Sequence, residues 1–209
     1  MPLYISKRLN SETNLFVWKI TESFQNLFNS LELNTISLER VQKMKSESHQ
    51  KGFLSVRKLL LEAGYTDFDL YYDQYGKPHL KDGKQISISH SHQFSVIAIS
   101  EIPIGIDLEI IKEKALILAP RFMDVSHLND LPREEQIKKA TVIWGIKESV
   151  FKIKNEVGIS FIEHIFEHNF DLTDNKCTAE LRFNNQIEFF DISFEFIENY
   201  VLVSAFKKK

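Results

Sequence analysis

Several features that would assign this sequence to a common functional class are missing. It has one cysteine, Cys177, which excludes an internal disulfide and favours a reducing compartment. It has no P-loop glycine motif, no G-x-G-x-x-G and no H-E-x-x-H, so the usual nucleotide-loop and zinc-hydrolase signatures are absent. Its net charge is −3, so no excess of basic charge attracts nucleic acid or anionic lipid.

Long apolar runs are also missing. No stretch approaches the roughly 20 residues that span a bilayer, and the N-terminus lacks the charged start and apolar stretch of a signal peptide. We therefore expect a cytoplasmic protein with no membrane and no nucleic-acid partner. Cys177 is expected to be a plain buried thiol.

The length allows one large domain or two small ones. Each half runs through a helix into strands and closes on an apolar strand, at residues 93–100 and 199–206. A boundary near residues 101–103 predicts an N-terminal α+β half, 1–101, and a C-terminal α+β half, 102–209.

Helical spacing of apolar residues predicts one long helix, or two abutting helices, over residues 38–63. Ser37 is the expected N-cap, and Gly64 is placed to end the helix. A second long helix is predicted over residues 134–154. Alternating or β-branched runs predict strands, among them residues 86–90, 94–100, 104–111 and 200–206.

Two carboxylates lie on the predicted strand 104–111. Strand side chains alternate faces, so Gly105, Asp107 and Glu109 share one face, and the isoleucines and leucine between them share the other. Two residues along a strand span about 6.6 Å, which lets both carboxylates lean onto one ion. The alternative is an edge strand with a solvated acidic face.

A third carboxylate lies on the predicted helix 134–154. Trp144, Glu148 and Lys152 recur at spacings of four, so they stack along one face beside an apolar stripe. This pattern indicates a partly enclosed acidic site, and a simple surface Glu–Lys pair is the alternative. Oxygen ligands suit Mg²⁺ or Mn²⁺, which leave positions for water and phosphates.

These segments resemble a known family. I-G-I-D-L-E at 104–109, followed by W-G-I-K-E-S-V-F-K at 144–152, is similar to the two signature motifs of the 4′-phosphopantetheinyl transferase superfamily. Three further segments agree: F-L-S-V-R at 53–57, G-K-P at 76–78 and S-I-S-H-S at 87–91. Their order resembles the larger, monomeric surfactin-synthetase-activating type, over roughly residues 40 to 165.

The resemblance implies a fold and a reaction. The fold would be α+β, with two pseudo-symmetric halves and the active site in the cleft between them, where coenzyme A binds as a substrate. The enzyme would move 4′-phosphopantetheine from coenzyme A to a serine of an apo acyl or peptidyl carrier protein. It would require Mg²⁺, release adenosine 3′,5′-bisphosphate and act as a monomer.

The resemblance also implies roles for single residues. Asp107, Glu109 and Glu148 would hold the metal, Glu148 would act as general base, and Lys152 would contact the reacting phosphate. The implied coenzyme A contacts are Gly76, Lys77 and Pro78 for adenine, Ser89 and His90 for phosphates, and Lys51 and Arg57 for the 3′-phosphate.

Several of the coenzyme A contacts keep an alternative. The segment Gly76-Lys77-Pro78 is also an ordinary turn sequence. His90 is also explained as a structural histidine near a strand end. Arg57 equally fits a role in bracing its helix, and Arg40 competes with Lys51 for the 3′-phosphate.

Two positions depart from the family pattern. Gly145 replaces a small hydroxyl or thiol residue, and we expect it to loosen the start of the helix without touching a ligand. His127 lies near a slot that is commonly acidic, which motivates a second hypothesis: a non-catalytic coenzyme A or carrier-protein binding module. A third hypothesis is another Mg²⁺-dependent phosphoryl-transfer or hydrolysis enzyme.

Overall fold

The computed structural model describes residues 3–208, and the chain divides into two compact units, Met1–Ile102 and Pro103–Lys209. The assignment of 1–101 and 102–209 as domains stays a prediction. The elements of the first unit are β1 (Leu3–Asn10), β2 (Thr13–Lys19), α1 (Phe24–Asn29), α2 (Thr35–Lys43), α3 (Glu47–Glu62), β3 (Leu70–Tyr72), β4 (Pro78–Leu80), β5 (Gln85–Ser91) and β6 (Phe94–Ser100).

The first unit is an antiparallel sheet covered by helix α3. Among the described residues its strand order is β1-β2-β6-β5, and β3 pairs with β4 in a separate small hairpin. Strand β6 is buried at all its residues, as expected of a central apolar strand. Helix α3 packs on β2 and β6, and the core between them includes Trp18, Leu54, Leu59, Leu60 and Ile97.

The predicted helical region 38–63 consists of two helices, α2 and α3, interrupted around Met44. Ser37 is not the N-cap. That position is held by Asn34, whose side chain accepts a hydrogen bond from the backbone N–H of Ser37, so α2 begins at Thr35. The predicted end is confirmed, because Gly64 follows the last turn with φ +85°, a conformation that favours glycine.

The second unit is a larger antiparallel sheet covered by helix α5. Its elements are β7 (Ile104–Ile110), α4 (Glu113–Leu118), α5 (Arg133–Lys154), α6 (Phe161–His164), β8 (Ile165–Glu167), β9 (Lys176–Phe183), β10 (Gln186–Ile197) and β11 (Tyr200–Lys207). Short 3₁₀ turns lie at Ala119–Arg121, Val125–Leu128 and Leu172–Asp174. Within the described chain the strand order is β7-β11-β10-β9-β8.

Helix α5 lies on this sheet and contacts β7, β11, β10 and β8. Its predicted apolar stripe is confirmed: Ile143, Ile146, Val150 and Ile153 are all buried. Trp144 is half-buried beside that stripe and makes edge-to-face contacts with Phe122 and Phe161, at ring-centroid distances of 5.1 and 5.4 Å.

Helices and antiparallel sheets are thus combined in each unit, and the predicted α+β class is confirmed. Between residues 3 and 208 no helix is both long and apolar enough to cross a membrane.

Candidate active site

Strand β7 presents Asp107 to the middle of helix α5. In the antiparallel pairing of β7 with β11, Asp107 lies opposite Val203, which belongs to the core beneath α5. Cross-strand partners share a sheet face, so Asp107 points toward α5 while Ile106 and Leu108 point away. Only 4% of the Asp107 side chain is exposed. A solvated acidic face is therefore excluded for Asp107.

Gly105 sets how closely α5 approaches this strand. A Cβ atom at Gly105 would lie 1.8 Å from the backbone oxygen of Ser149 and 2.8 Å from its carbonyl carbon. No side chain fits there, because the helix backbone itself occupies the space. Because Gly105 has no side chain, α5 packs directly on β7 two residues from Asp107.

Gly145 has the same effect one strand further into the sheet. A Cβ atom at Gly145 would lie 2.6 Å from Cγ2 of Val203 and 3.7 Å from Oδ2 of Asp107. The expectation that Gly145 loosens the helix start is wrong, because α5 begins at Arg133 and Gly145 lies in its interior, against the sheet. Gly145 also borders a predicted metal ligand, which the sequence argument had not anticipated.

Lys152 reaches Asp107 from the next turn of α5. Its Nζ donates hydrogen bonds to Oδ1 of Asp107 at 2.7 Å and to the backbone oxygen of Ile106 at 3.0 Å. The Lys152 side chain is 27% exposed, whereas that of Asp107 is 4% exposed. The ammonium group therefore lies between a buried carboxylate and solvent, where an incoming anion can meet it.

Glu148 completes this group of charges. Burial raises the pKa of its carboxyl, the negative charge of Asp107 raises it further, and the positive charge of Lys152 opposes both effects. Glu148 therefore interacts electrostatically with both Asp107 and Lys152. The spacing of four between Glu148 and Lys152 therefore does not describe a simple surface pair, since Glu148 is half-buried beside a third charge.

Glu109 follows Asp107 at the half-buried end of β7 and lies opposite Val201 of β11. It shares the sheet face of Asp107. Within residues 3–208, no three His, Cys, Asp or Glu side chains are grouped as they would be around a bound metal ion. The chemistry of the donors nevertheless fits Mg²⁺, because Asp107 and Glu148 are oxygen donors whose mutual repulsion a cation relieves.

A second cluster of charges lies on the other side of α5. It was not predicted from the sequence. Lys147 lies 2.5 Å from Oε2 of Glu167 on β8, and both side chains are buried. Burial lowers the pKa of Lys147, and the charge of Glu167 opposes that shift. Nδ1 of His127 lies 3.0 Å from Oε1 of the same Glu167. One feature of the sequence could have indicated this cluster: Lys147 follows the core residue Ile143 by four positions and so lies on the same side of the helix.

In the first unit, helix α3 and strand β5 meet at Gly52 and His90. A Cβ atom at Gly52 would lie 3.2 Å from Nδ1 of His90, so the imidazole packs against the helix where it has no side chain. His90 is exposed, Ser89 before it is buried, and Lys51 is half-buried beside Gly52. Of the three predicted contacts for coenzyme A phosphates, the structure places Lys51 and His90 at Gly52, whereas Ser89 points to the opposite face of β5 from His90.

Arg57 is separated from that group. It is buried, and its guanidinium donates to Oδ1 of Asp67 at 2.9 Å and to Oγ of Ser37 at 3.3 Å. These contacts favour the alternative in which Arg57 braces its helix, and the 3′-phosphate role stays a prediction. Arg40 is exposed, with its guanidinium 5.1 Å from the ring centre of Tyr72.

Gly76 and Lys77 lie in the turn between β3 and β4, and Pro78 is the first residue of β4. Oδ1 of Asp73 accepts hydrogen bonds from the backbone N–H groups of Tyr75 and Lys77, both at 2.9 Å. Gly76 has φ +81°, which explains why glycine stands there. The turn prediction is confirmed, and the adenine-binding role stays a prediction.

The relatives that comparison with known proteins identifies are named 4′-phosphopantetheinyl transferases. No family model matches the chain. It is 30% identical over 151 residues to the 4′-phosphopantetheinyl transferase gsp of Aneurinibacillus migulanus, which covers 66% of this chain and 63% of that protein. It is 30% identical over 118 residues to the 4′-phosphopantetheinyl transferase Sfp of Bacillus subtilis (strain 168), covering 52% of this chain and 53% of that protein.

A third relative is the 4′-phosphopantetheinyl transferase psf-1 of Bacillus pumilus, 34% identical over 91 residues, or 41% of this chain and 39% of that protein. The chain thus spans less than two thirds of the length of each of these relatives.

Proposed function

We propose that this chain, which belongs to the 4′-phosphopantetheinyl transferase superfamily, transfers 4′-phosphopantetheine from coenzyme A to a serine of an apo acyl or peptidyl carrier protein. The other product is adenosine 3′,5′-bisphosphate. The observation that carries this proposal is the grouping of Glu148 and Lys152 on α5 with Asp107 on β7.

In the proposed reaction Glu148 is the general base. Its raised pKa makes its carboxylate a stronger proton acceptor than an ordinary glutamate. It takes the proton of the carrier serine, directly or through one water, while the serine oxygen bonds to the β-phosphorus of coenzyme A. The bond from that phosphorus to the bridging oxygen breaks, and the electron pair leaves with adenosine 3′,5′-bisphosphate.

Lys152 stabilises the negative charge that develops on the reacting phosphate. Its ammonium is held by Asp107 on one side and is partly exposed on the other. A phosphate oxygen that approaches the exposed side gains a charge-assisted hydrogen bond. A fixed positive group at this position lowers the barrier, because it does not have to reorganise during the reaction.

The proposed metal ligands are Asp107, Glu109 and Glu148, and the proposed ion is Mg²⁺, with Mn²⁺ as a substitute. Burial raises the pKa of Glu148 and the charge of Asp107 raises it further, and a cation at this position would relieve both effects. When bound, the ion would neutralise charge on the pyrophosphate of coenzyme A.

The proposed coenzyme A contacts lie in the first unit. Lys51, Ser89 and His90 meet the phosphates, a role supported for Lys51 and His90 by their position at Gly52. The turn Gly76-Lys77-Pro78 lines the adenine. Lys51 and the exposed Arg40 are better candidates for the 3′-phosphate than Arg57, whose donors already bind Asp67 and Ser37.

The mass of the carrier protein tests the function. Purified protein incubated with coenzyme A, Mg²⁺ and an apo carrier protein is expected to add about 340 Da to the carrier, and chelation of the metal is expected to stop the reaction. A panel of fatty-acid, polyketide and nonribosomal-peptide carriers covers the substrate classes. No mass gain on any of them, with folded protein, would contradict the proposal.

The His127 position keeps a second hypothesis open, that of a non-catalytic coenzyme A or carrier-protein binding module. Tight coenzyme A binding without transfer would support that module, and loss of an observed transfer in Glu148→Gln would exclude it. Activity on simple phosphate esters without any carrier would favour a different phosphoryl-transfer or hydrolysis enzyme. We expect the reaction in the cytoplasm, by a monomer.

A further inference from the structure

The proposed reaction gives no role to the buried ion pair of Lys147 and Glu167. Its two side chains are each 3% exposed, and Lys147 also donates a hydrogen bond to the backbone oxygen of Ile165. Burying two charges costs desolvation energy that their attraction does not always recover, so such a pair is weak evidence for stability by itself. Its position on α5 indicates a role in orientation.

Lys147 and Glu148 are neighbours on α5, and they are directed toward opposite edges of the sheet. Successive helical residues are rotated by about 100° around the helix axis. Lys147 contacts β8, and Glu148 is coupled to Asp107 of β7. Strands β7 and β8 are the two edges of the five-stranded sheet. Rotation of this turn about the helix axis would therefore break the Lys147 contact and displace Glu148 together.

Gly145, two residues before Lys147, weakens the same turn of α5. Gly145 gives no side-chain anchor to the sheet, and glycine in a helix interior lowers helix stability through backbone entropy. The contact of Lys147 with β8 compensates on this turn, because it ties the helix to a backbone carbonyl and to a carboxylate of an adjacent strand.

Glu167 is itself fixed from two directions. Its Oε2 faces Lys147 at 2.5 Å, and its Oε1 faces Nδ1 of His127 at 3.0 Å. His127 belongs to the 3₁₀ turn Val125–Leu128, and its side chain is 35% exposed, so it covers the buried carboxylate from the solvent side. A carboxylate with both oxygens engaged has one defined orientation.

We propose that Glu167 is a positioning residue: through Lys147 it fixes the rotation of the α5 turn that directs Glu148 toward Asp107 and the reacting groups. This inference rests on the proposed function, because it assigns Glu148 the role of the base. Glu167 itself touches none of the reacting atoms.

The test compares Glu167→Gln with a matched control, Glu180→Gln. Both glutamates are 7% exposed in the same sheet, and both are ion-paired, Glu180 with Arg182. Glu167 lies opposite the core residue Ala179, whereas Glu180 is the next residue of β9 and faces the other side, away from α5. Each change therefore removes one carboxylate charge, and the two charges lie on opposite faces of the sheet; the partner of Glu167 is buried, whereas Arg182 is exposed.

We expect Glu167→Gln to lower kcat for phosphopantetheinyl transfer by about 10- to 100-fold, since small misplacements of catalytic groups are costly. The KM for coenzyme A should change much less than kcat, because most of the contacts proposed for that substrate lie in the first unit. Amide hydrogen exchange of residues 144–149 should become about tenfold faster. Glu180→Gln should change none of the three.

A double variant separates positioning from stability. Lys147→Met with Glu167→Gln removes both buried charges, so the melting temperature should return toward that of the parent protein. Under the proposal kcat stays low, because the tie to β8 is lost. Recovery of kcat together with the melting temperature would overturn the proposal.

Hydrogen exchange also keeps this inference distinct from the proposed function. A parent protein that transfers nothing would contradict the function, while the exchange comparison would still decide whether Glu167 fixes the α5 turn. Unchanged exchange at residues 144–149 in Glu167→Gln would overturn the inference, whatever the activity.

Discussion

At the scale of single residues, the proposed chemistry rests on one half-buried carboxylate, Glu148, whose pKa burial raises. Asp107 disfavours its ionised form and Lys152 favours it. A base needs a pKa high enough to accept a proton and low enough to be ionised before the reaction. Burial and the charge of Asp107 raise the pKa of Glu148, and the charge of Lys152 opposes that rise.

Lys152 is expected to act through its charge at this position. We predict that Lys152→Met lowers kcat/KM for transfer by about 100-fold, because a preorganised cation is lost from the reacting phosphate. Lys154→Met is the matched control, since Lys154 lies two residues away on α5 and pairs with Glu156 and Glu188. Equal losses in the two variants, measured by steady-state kinetics, would contradict the role of Lys152.

Cys177 is expected to be inert at neutral pH. Burial, with smaller effects from the charges of Glu167 and Asp174, raises the pKa of its thiol to about 12. A raised thiol pKa means less thiolate, so at pH 8 only about one molecule in 10⁴ is ionised. We predict that iodoacetamide labels Cys177 at least about 100-fold more slowly in the folded protein than in urea. Cys177 is half-buried, not fully buried as expected from the sequence, and equal rates would contradict even this partial protection.

At the scale of elements, the candidate site depends on the close approach of α5 to β7 and β11. Two glycines allow that approach, but their neighbours differ. Gly105 meets the backbone of Ser149, whereas Gly145 meets a methyl group of Val203. The backbone at Ser149 can make room only if the helix moves, whereas the side chain of Val203 can be replaced by a smaller one.

This difference predicts unequal effects on stability. Gly105→Ala should lower the free energy of unfolding by more than about 3 kcal/mol, because the new methyl group collides with the helix backbone. Gly145→Ala should cost less, since alanine regains about 1 kcal/mol of helix propensity. Chemical denaturation measures both changes.

A second substitution provides the control for that comparison. Val203→Ala should recover part of the stability lost in Gly145→Ala, because it opens space for the new methyl group, and it should recover none of the stability lost in Gly105→Ala. Rescue of both variants, or of neither, would contradict the packing described for α5.

Helices α2 and α3 are joined through Arg57. Its guanidinium contacts Asp67 and Ser37, and the Arg57 and Asp67 side chains are 3% and 2% exposed. We predict that Arg57→Met lowers the free energy of unfolding by about 3–5 kcal/mol, because the charge of Asp67 is left buried without its partner. Arg40→Met, at an exposed position, should change it by less than about 0.5 kcal/mol.

The same pair of variants addresses the 3′-phosphate. A higher KM for coenzyme A in Arg57→Met, with unchanged stability, would contradict bracing and favour a direct phosphate contact. A higher KM in Arg40→Met would instead support Arg40 at that phosphate.

At the scale of the whole molecule, the sequence predicted elements whose patterns are local. Helix 134–154 and strand 104–111 were located within a residue of α5 and β7, because helical and alternating periods are written in consecutive residues. The break between α2 and α3 was left open, since both helices share one apolar period. Asn34 was missed as N-cap because Ser37, a few residues later, is also a cap-forming residue type.

Contacts between segments that are far apart along the chain could not be predicted from the sequence. The pairing of Lys147 with Glu167 joins the middle of α5 to the edge strand β8, and it depends on the strand order of the finished sheet. The bracing of Arg57 by Asp67 depends on a loop that folds back onto α3. The approach of Gly145 to Val203 likewise needs β11, which follows some fifty residues later.

The mass of an apo carrier protein after incubation with coenzyme A and Mg²⁺ tests the central claim most directly, when the parent protein is compared with Glu148→Gln and with Glu134→Gln. Glu134 is an exposed glutamate in the first turn of the same helix. We predict a gain of about 340 Da with the parent protein and with Glu134→Gln, and no gain in the same time with Glu148→Gln. An equal gain with all three proteins would contradict the account.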